Sequence, residues 1–569
     1  METTRENAVK HRGRRRAAVL VLAVFFCALC AAVLTACDTG VGVILGGGAE
    51  KPESATTVSP VVYLPMETVR TLNPVLSKDE DSYYIGKLVY DSLFALDDSL
   101  TATPSLVESY DYDESGLSVN IRLRSGLLWS DGEALDAADV VFSIEAYTAD
   151  PDAHLFGANV RNIRSAKVVA GDPLSLVIAF RETKDTGVER LTFPILPAHL
   201  YRNRNDLRRD AENFIPVGSG PYIVQEFDRY SHLTLTGNPN RTDGEVPKNT
   251  LAFQVLPSRS DALNMLSINA ISYAVSREGD RDTIYRDANM RVQSFPGNEA
   301  VWLGFNFNKE LFTRKEVRRA VAFGVNSAEL LEVCFFNSGV LADSIYYPGF
   351  LGVGEAADPY PADPDKAKSL LAAAGLSDTD GDGSYEYFVT DDGEDEGEGE
   401  REGEWRALSL KFLVNGDDAS RVSAAQMIQA ALGRIGLVCE LAILDRDAYL
   451  AALATGDYDF YMGGGQLAVH YDLRSLLHSD YGNPIAYKNP VLDALLDDFT
   501  AAKSPQERRD LFAEIHAFLV EEIPYYCLFY KTYGAVASPA LAGDISPHFD
   551  DIYRGCEAWQ CVYEVPLSN

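Results

Sequence analysis

A mixed α/β fold spread over more than one domain is what the sequence predicts, and three observations carry it. The chain has 569 residues and a mass of 62.3 kDa, well past the roughly 250 to 300 residues at which a single hydrophobic core stops growing. Its hydrophobic content is 46%, with 10% aromatics, which is a globular composition. Strand and helix patterns also alternate in its second half: Leu408 to Val414 reads as a strand, Ala424, Ile428, Ala431, Leu432 and Ile435 as a helix closed by Gly436, Leu437 to Ile443 as a strand, and Tyr449 to Leu453 as a helix. That order implies a mixed α/β lobe.

The most informative stretch runs from Val119 to Tyr147. Val119, Ile121 and Leu123 alternate with Asn120, Arg122 and Arg124, the period-two pattern of a strand covered on one face. Turn signals follow at Ser125-Gly126 and Ser130-Asp131-Gly132, either side of Trp129. Asp136 then precedes apolar residues at helical spacing, ending with Ile144 and Tyr147, so an Asp-capped helix is expected. Leu123, Arg124, Gly126, Trp129, Asp131, Gly132, Ala138, Asp139, Val140 and Ser143 stand in register with the LRxGxxWxDGxxxxAxDVxxS segment of the family 5 extracellular solute-binding proteins, the peptide and nickel binders of ABC importers. The chain resembles that family from about Val61 to Ala542. The resemblance implies a two-lobed periplasmic-binding-protein-like fold of the large peptide-binding kind (type II), with discontinuous lobes that close on a solute by hinge bending. Taken singly, Trp129 reads as a packed anchor and Asp131-Gly132 as turn chemistry.

The formal charge is -34, and the excess acid argues against nucleic acid or anionic membrane as partners. The N-terminus carries Lys10, Arg12, Arg14, Arg15 and Arg16 before an apolar run from Ala17 to Ala36, the parts of an export signal; an uncleaved anchor is the alternative. Leu34-Thr35-Ala36-Cys37 resembles the bacterial lipobox. This divides the start into a lipoprotein signal peptide over 1–36, with Cys37 lipidated, and a Gly-, Ser- and Pro-rich tether over 37–59. The expected location is the outer face of the bacterial cytoplasmic membrane, reached by export and held by lipid.

Lobe 1 is expected over 60–300, lobe 2 over 301–523, and a return to lobe 1 over 524–569. Thr71-Leu72-Asn73-Pro74 resembles the family's LNP segment, and an amphipathic helix with Tyr84, Ile85, Leu88, Val89 and Leu93 follows. Because that region borders the cleft in the family, Leu72, Asn73, Tyr83 and Tyr84 are contact candidates, with packing or capping as the competing role of each. Leu174 to Phe180 reads as a strand. Phe193 to Leu200 is similar to the family's "ILPKH" turn, with His199 read as structural, and Pro216 to Tyr222 to its PVGTGPY, where two glycines permit a turn that bulkier residues would block. Val301 to Asn308 resembles the family's first strand crossing between lobes, which makes Trp302 a contact candidate, and Ile523 to Phe529 resembles the second. Thr313-x-x-Glu316 reads as a capping box, Asn326 with Glu329 as the next helix start, and Asp363-Pro364 as another.

Asp378, Asp380 and Asp382 before Gly383 have the alternation of a calcium loop, but position twelve is Val389 rather than a bidentate Glu, so no metal is assigned. An acidic insertion over 391–404 follows. Tyr458 to Met462 runs into Gly463, Gly464, Gly465 and Gln466, where glycines beside a cleft would let backbone approach an extended ligand. Peptide-binding relatives place a Trp and an amine-binding Asp here. Both are missing, and the nearest carboxylate is Asp472, after Tyr471. Eight histidines without HExxH leave a metal transporter unsupported. Of the later cysteines, Cys556 and Cys561 are close enough in sequence to bridge.

The function this reading implies is a monomeric, cofactor-free binding lipoprotein, not an enzyme. It captures a solute, foremost an oligopeptide, and delivers it to an ABC permease. A ligand-sensing receptor or pheromone binder is the alternative. An exported hydrolase is a further one, for which no nucleophile and base constellation is legible.

Overall fold

Local chemistry explains most of the first half. The computed structural model describes residues 54–201, 203, 205–208, 214–277, 289–390 and 403–566. The strand Ser118–Leu123 buries Val119, Ile121 and Leu123 and lies in a four-stranded antiparallel sheet between Val107–Tyr112 and Asp172–Phe180, with Ile163–Val169 beyond the latter. Asp136 caps the helix Ala137–Thr148, its Oδ1 accepting the Ala138 amide at 2.7 Å while Asp139 Oδ2 accepts the Asp136 amide at 3.0 Å. Fully buried Trp129 donates from Nε1 to that same Asp139 Oδ2 at 3.1 Å, and Asp139 Oδ1 takes the Ala198 amide at 2.8 Å. Ser143 Oγ accepts the Leu196 amide at 2.8 Å, and His199 Nε2 lies 2.8 Å from Asp131. The fingerprint is thus the socket for the Pro-punctuated turn, and His199 is structural as read.

The glycines of Pro216 to Tyr222 serve close approach. A Cβ on Gly218 would sit 1.8 Å from the Val89 carbonyl oxygen and one on Gly220 2.7 Å from the Val89 carbonyl carbon. Only glycine lets this turn lie on the end of the helix Glu80–Val89. That helix stands beside a second four-stranded sheet, in the order Val61–Met66, Thr250–Val255, His232–Gly237, Tyr222–Asp228.

The largest sheet has seven strands, ordered Tyr273–Ser276, Tyr525–Ala537, Arg291–Phe305, Phe460–Gln466, Ser409–Asn415, Val438–Leu444, with Gly339–Val340 added on Tyr525–Ala537. The long strands Arg291–Phe305 and Tyr525–Ala537 run antiparallel side by side, with register breaks at Pro296/Ala300 and Val301/Trp302. A second core gathers Val301, Leu303, Phe305, Phe412, Phe460 and Phe529, with Phe412 stacked on Phe460 at 4.2 Å between centroids. The first core runs from Val62 to Cys561 and also takes in Tyr346, Phe350, Phe499 and Phe512 from the middle of the chain. The fold is α/β and two-lobed, as expected.

By contacts, Thr56–Tyr563 forms one unit; Met1–Ala55 with Glu564–Asn569 forms another, of which 54–55 and 564–566 are described as strand. Several expectations are corrected. Chain order begins earlier than the tether over 37–59 allowed, because Ser54–Ser59 is a strand. The signal peptide over 1–36 and Cys37 lie outside the described residues, as does most of the acidic insertion, whose last two residues open the strand Gly403–Ala407. Thr313 caps nothing: its Oγ1 donates to Glu310 O at 2.6 Å inside a preceding turn, and Arg314 holds the N-cap position of Lys315–Gly324. Cys556 and Cys561 are free, buried thiols with separate neighbours, the Tyr222 hydroxyl and the Ser272 hydroxyl. Among the described residues no helix is long and apolar enough to cross a membrane.

Candidate functional site

The helix Glu80–Val89 presents Glu80, Tyr83, Tyr84 and Lys87 at spacings of three and four, which places them on one face. Glu80, Tyr83 and Tyr84 border a cavity of ≈ 410 Å³ whose other walls include Lys78, Phe156, Asn159, Thr192, Arg277, Asn298, Gln466, His470, Phe549 and Asp550. A cavity of roughly 300 to 1,000 Å³, mostly apolar with a few placed polar groups, is the usual form of a small-ligand site.

The charges in it are ordered. Asp550, 4% exposed, accepts hydrogen bonds from Tyr83 Oη and Lys87 Nζ. Burial alone would raise its pKa, but the adjacent Lys87 ammonium and the two hydrogen bonds outweigh burial and hold the carboxyl below its usual range. Burial pushes the Tyr83 hydroxyl well up, and the Asp550 charge adds to this, so Tyr83 is a neutral donor. On the other side Arg277 pairs with Glu80, donates to Tyr84 Oη at 3.2 Å and stacks over Tyr533 at 5.3 Å. Tyr84 Oη in turn donates to Phe549 O at 2.9 Å. The cavity therefore holds carboxylate and guanidinium, neutral amides at Asn159, Asn298 and Gln466, and aromatic faces. That mixture suits a zwitterionic ligand with an apolar body.

The candidates read from sequence divide. Tyr83, Tyr84 and Gln466 come together on the cavity. Leu72 is 5% exposed in the core, and Asn73, wholly buried, spends its side chain on Leu207 O at 2.7 Å and the Val75 amide at 3.1 Å. Trp302 donates to Tyr461 Oη at 3.3 Å inside the sheet. Gly463 and Gly464 pair with Trp302 and Val301, and added Cβ atoms would lie 2.5 Å from Trp302 Nε1 and 2.6 Å from Ala300 O. Those two glycines are required by sheet packing; around Gly465 there is open space. Tyr471 is fully buried with φ +47°, against Tyr346 and Phe350.

Asp472 does not border the cavity. Arg474 grips it with Nε at 2.9 Å and Nη2 at 2.6 Å, and Arg190 adds a contact at 3.3 Å. Asp185 bridges the same two arginines at 2.6 and 2.7 Å, while Arg508 meets Glu189 at 2.6 Å and the His470 carbonyl at 2.9 Å. Burial opposes the charge on Asp472, but the Arg474 bonds and charge prevail and hold its pKa low. This buried ion network joins 185–190 to 470–508. The Asp378 turn acquires a fourth carboxylate, Glu386, with all four oxygen sets within 4.8 Å. Glu386 Oε2 is engaged by the Thr379 amide at 2.7 Å.

Arg277, Glu80 and Asp550 were missed because nothing local marks them. Asp550 lies 467 positions from Tyr83, a pairing no local spacing encodes.

His548 beside Asp550 supplies a pH prediction. Burial, first, pushes its pKa down to about 4, against the attraction of Asp550. A folded pKa below the unfolded ~6.5 means the unfolded chain takes up the proton first, so stability is full above ~6.5 and falls as pH drops toward 4. Denaturant melts between these values should show His548→Gln flattening the decline, by about 3 kcal/mol at most; an unchanged slope would remove His548 from the account.

Residues 101–485 match the family model described as "Bacterial extracellular solute-binding proteins, family 5 Middle", which is more than half of the chain. The chain belongs to this family. Its relatives include the oligopeptide-binding protein AppA of Bacillus subtilis (strain 168), 23% identical over 480 residues, covering 80% of this chain and 83% of AppA. The glutathione-binding protein GsiB of Salmonella paratyphi A is 23% identical over 506 residues, covering 84% and 92%. In structure this family 5 protein is similar to the unliganded open form of the periplasmic murein tripeptide-binding protein MppA, with a TM-score of 0.72, 15% identity and 90% and 99% coverage. It is also similar to NikA from Brucella suis in complex with Fe(III)-EDTA, at 0.65, 22%, and 88% and 99%. Membership makes the chain an extracellular solute-binding protein, and the hydrolase reading falls with it.

Proposed function

We propose that this family 5 protein captures an oligopeptide, or a solute of similar charge pattern, in the cavity around Tyr83, Arg277 and Asp550 and delivers it to an ABC permease. The observation that carries the reading is the presence of opposite charges in one cavity: Arg277, paired with Glu80, for a terminal carboxylate, and Asp550 for an ammonium, with Gln466 for the peptide groups between. Relatives that bind oligopeptides and glutathione support it. Lobe 1 is taken as 60–300 with 524–569 and lobe 2 as 301–523. The second core, drawn from Val301 to Phe529, supports a separate lobe around 301–437, while Tyr346, Phe350, Phe499 and Phe512 pack with the first core; the paired strands Arg291–Phe305 and Tyr525–Ala537 would be the hinge. Asp472 would then serve closure through Arg190 and Arg474, in place of an amine contact. The ligand touches both lobes, so binding favours the closed form.

Micromolar binding of at least one di- or tripeptide, about -8 kcal/mol, is the calorimetric result expected; a broad peptide set with no binder sinks the proposal. Lipid anchoring at Cys37 rests on the Leu-Thr-Ala-Cys run alone. Mass spectrometry of the membrane-extracted protein should find a lipid-modified Cys37 as its first residue; an unmodified chain that retains residues 1–36 would refute the lipid anchor.

A further inference from the structure

We propose that a second cavity adjoining the first receives a lysine or arginine side chain of the bound peptide, so that this protein prefers basic peptides; the inference rests on the peptide reading above. The second cavity measures ≈ 160 Å³ and shares Tyr83, Phe156, Thr192 and Asp550 with the first as a common wall. A side chain leaving a peptide in the larger space therefore meets the smaller one beside Tyr83.

Its lining has an imbalance that needs a partner. Three carboxylates, Asp91, Asp550 and Asp551, face one cation, Lys87, and that cation is already paired with Asp550. Among the described residues neither Asp91 nor Asp551 belongs to a salt bridge; Asp551 accepts the Tyr553 amide at 3.2 Å. Burial, the largest influence on each, pushes both pKa values up, and the opposing pull of the Ser219 hydrogen bond with Arg241 and Arg124 on Asp91, and of Lys87 on Asp551, does not cancel it. Tyr90 lines the same cavity at 5% exposure, while its hydroxyl feels Tyr201 and Tyr147, which lie outside the lining.

An ammonium or guanidinium answers each of these features. It supplies counter-charge to Asp91 and Asp551, while its methylene stem lies against Tyr83, Phe94 and Phe156. An apolar side chain of the same length would leave both carboxylates desolvated and unpaired.

The test is calorimetric titration of the full chain with Ala-Ala-Ala and with tripeptides carrying either lysine or its uncharged isostere norleucine at each position in turn. At one position lysine should bind about 10-fold more tightly than norleucine, the difference expected of hydrogen bonds to a charged group. In Asp91→Asn with Asp551→Asn that ratio should fall toward one. Equal affinities for the lysine and norleucine peptides in the unaltered protein overturn the inference without needing any variant. So does an undiminished ratio in a folded double variant, while absence of binding by every peptide overturns the peptide reading and this inference together.

Discussion

Replacing Glu189 with alanine should weaken solute binding by roughly 100-fold while lowering the melting temperature only slightly. Glu189 and Arg508 are 5% and 7% exposed and meet at 2.6 Å. Removing one partner of such a buried pair costs about 3 kcal/mol or more. On the proposed division the two residues belong to different lobes, so the loss falls on the closed form and leaves each lobe's own core intact. In a free protein that rests mainly open, each 1.4 kcal/mol taken from the closed form raises the apparent Kd about tenfold. Calorimetry should show the weakened binding, and X-ray scattering with saturating ligand should show a larger open fraction. A fall in melting temperature with unaltered affinity would instead make the pair a folding brace and reject its role in closure.

Asp550→Asn should lower affinity by about tenfold, the loss expected when a hydrogen-bonded charge is replaced by a neutral acceptor. Asparagine keeps the shape but leaves Lys87 without its counter-ion and removes the negative end of the cavity. Its pH dependence has a definite sign. The folded pKa of Asp550 lies below the ordinary carboxylate value, so its contribution to stability is present above ~3.9 and is lost as pH falls through the folded value. The stability gap between the unaltered protein and the variant should therefore be widest near neutrality and narrow below about pH 4. A gap that stays constant down to strong acid would mean that the Asp550 charge does not stabilise the fold.

How much of this was legible varies with the reach of each interaction. The Asp136 cap, the Asp363 cap on Pro364–Ala373 and the Asn326 cap are settled within three or four residues, and sequence reading placed all three. The Thr313 box misled because a hydroxyl can also serve the turn behind it, as it does with Glu310 O. Glycine was legible as a need for space but not as to what fills the space: at Gly463 and Gly464 it is the neighbouring strand. Asp472 looked available in sequence, yet Arg190, 282 positions away, shares it with Arg474.

By itself the sequence determined the family, the alternation of strands and helices and most helix ends, because those depend on periodicity and on hydrogen bonds between near neighbours. Only the tertiary structure decided which carboxylates face the cavity and which are consumed by arginines, and that Arg277 and Asp550 stand in the same cavity as Tyr83. A charge can meet a ligand only where the folded chain leaves it on an open wall: Asp550 keeps Lys87 and Tyr83 yet borders the cavity, whereas Asp472, held by Arg474 and by Arg190 282 positions away, does not.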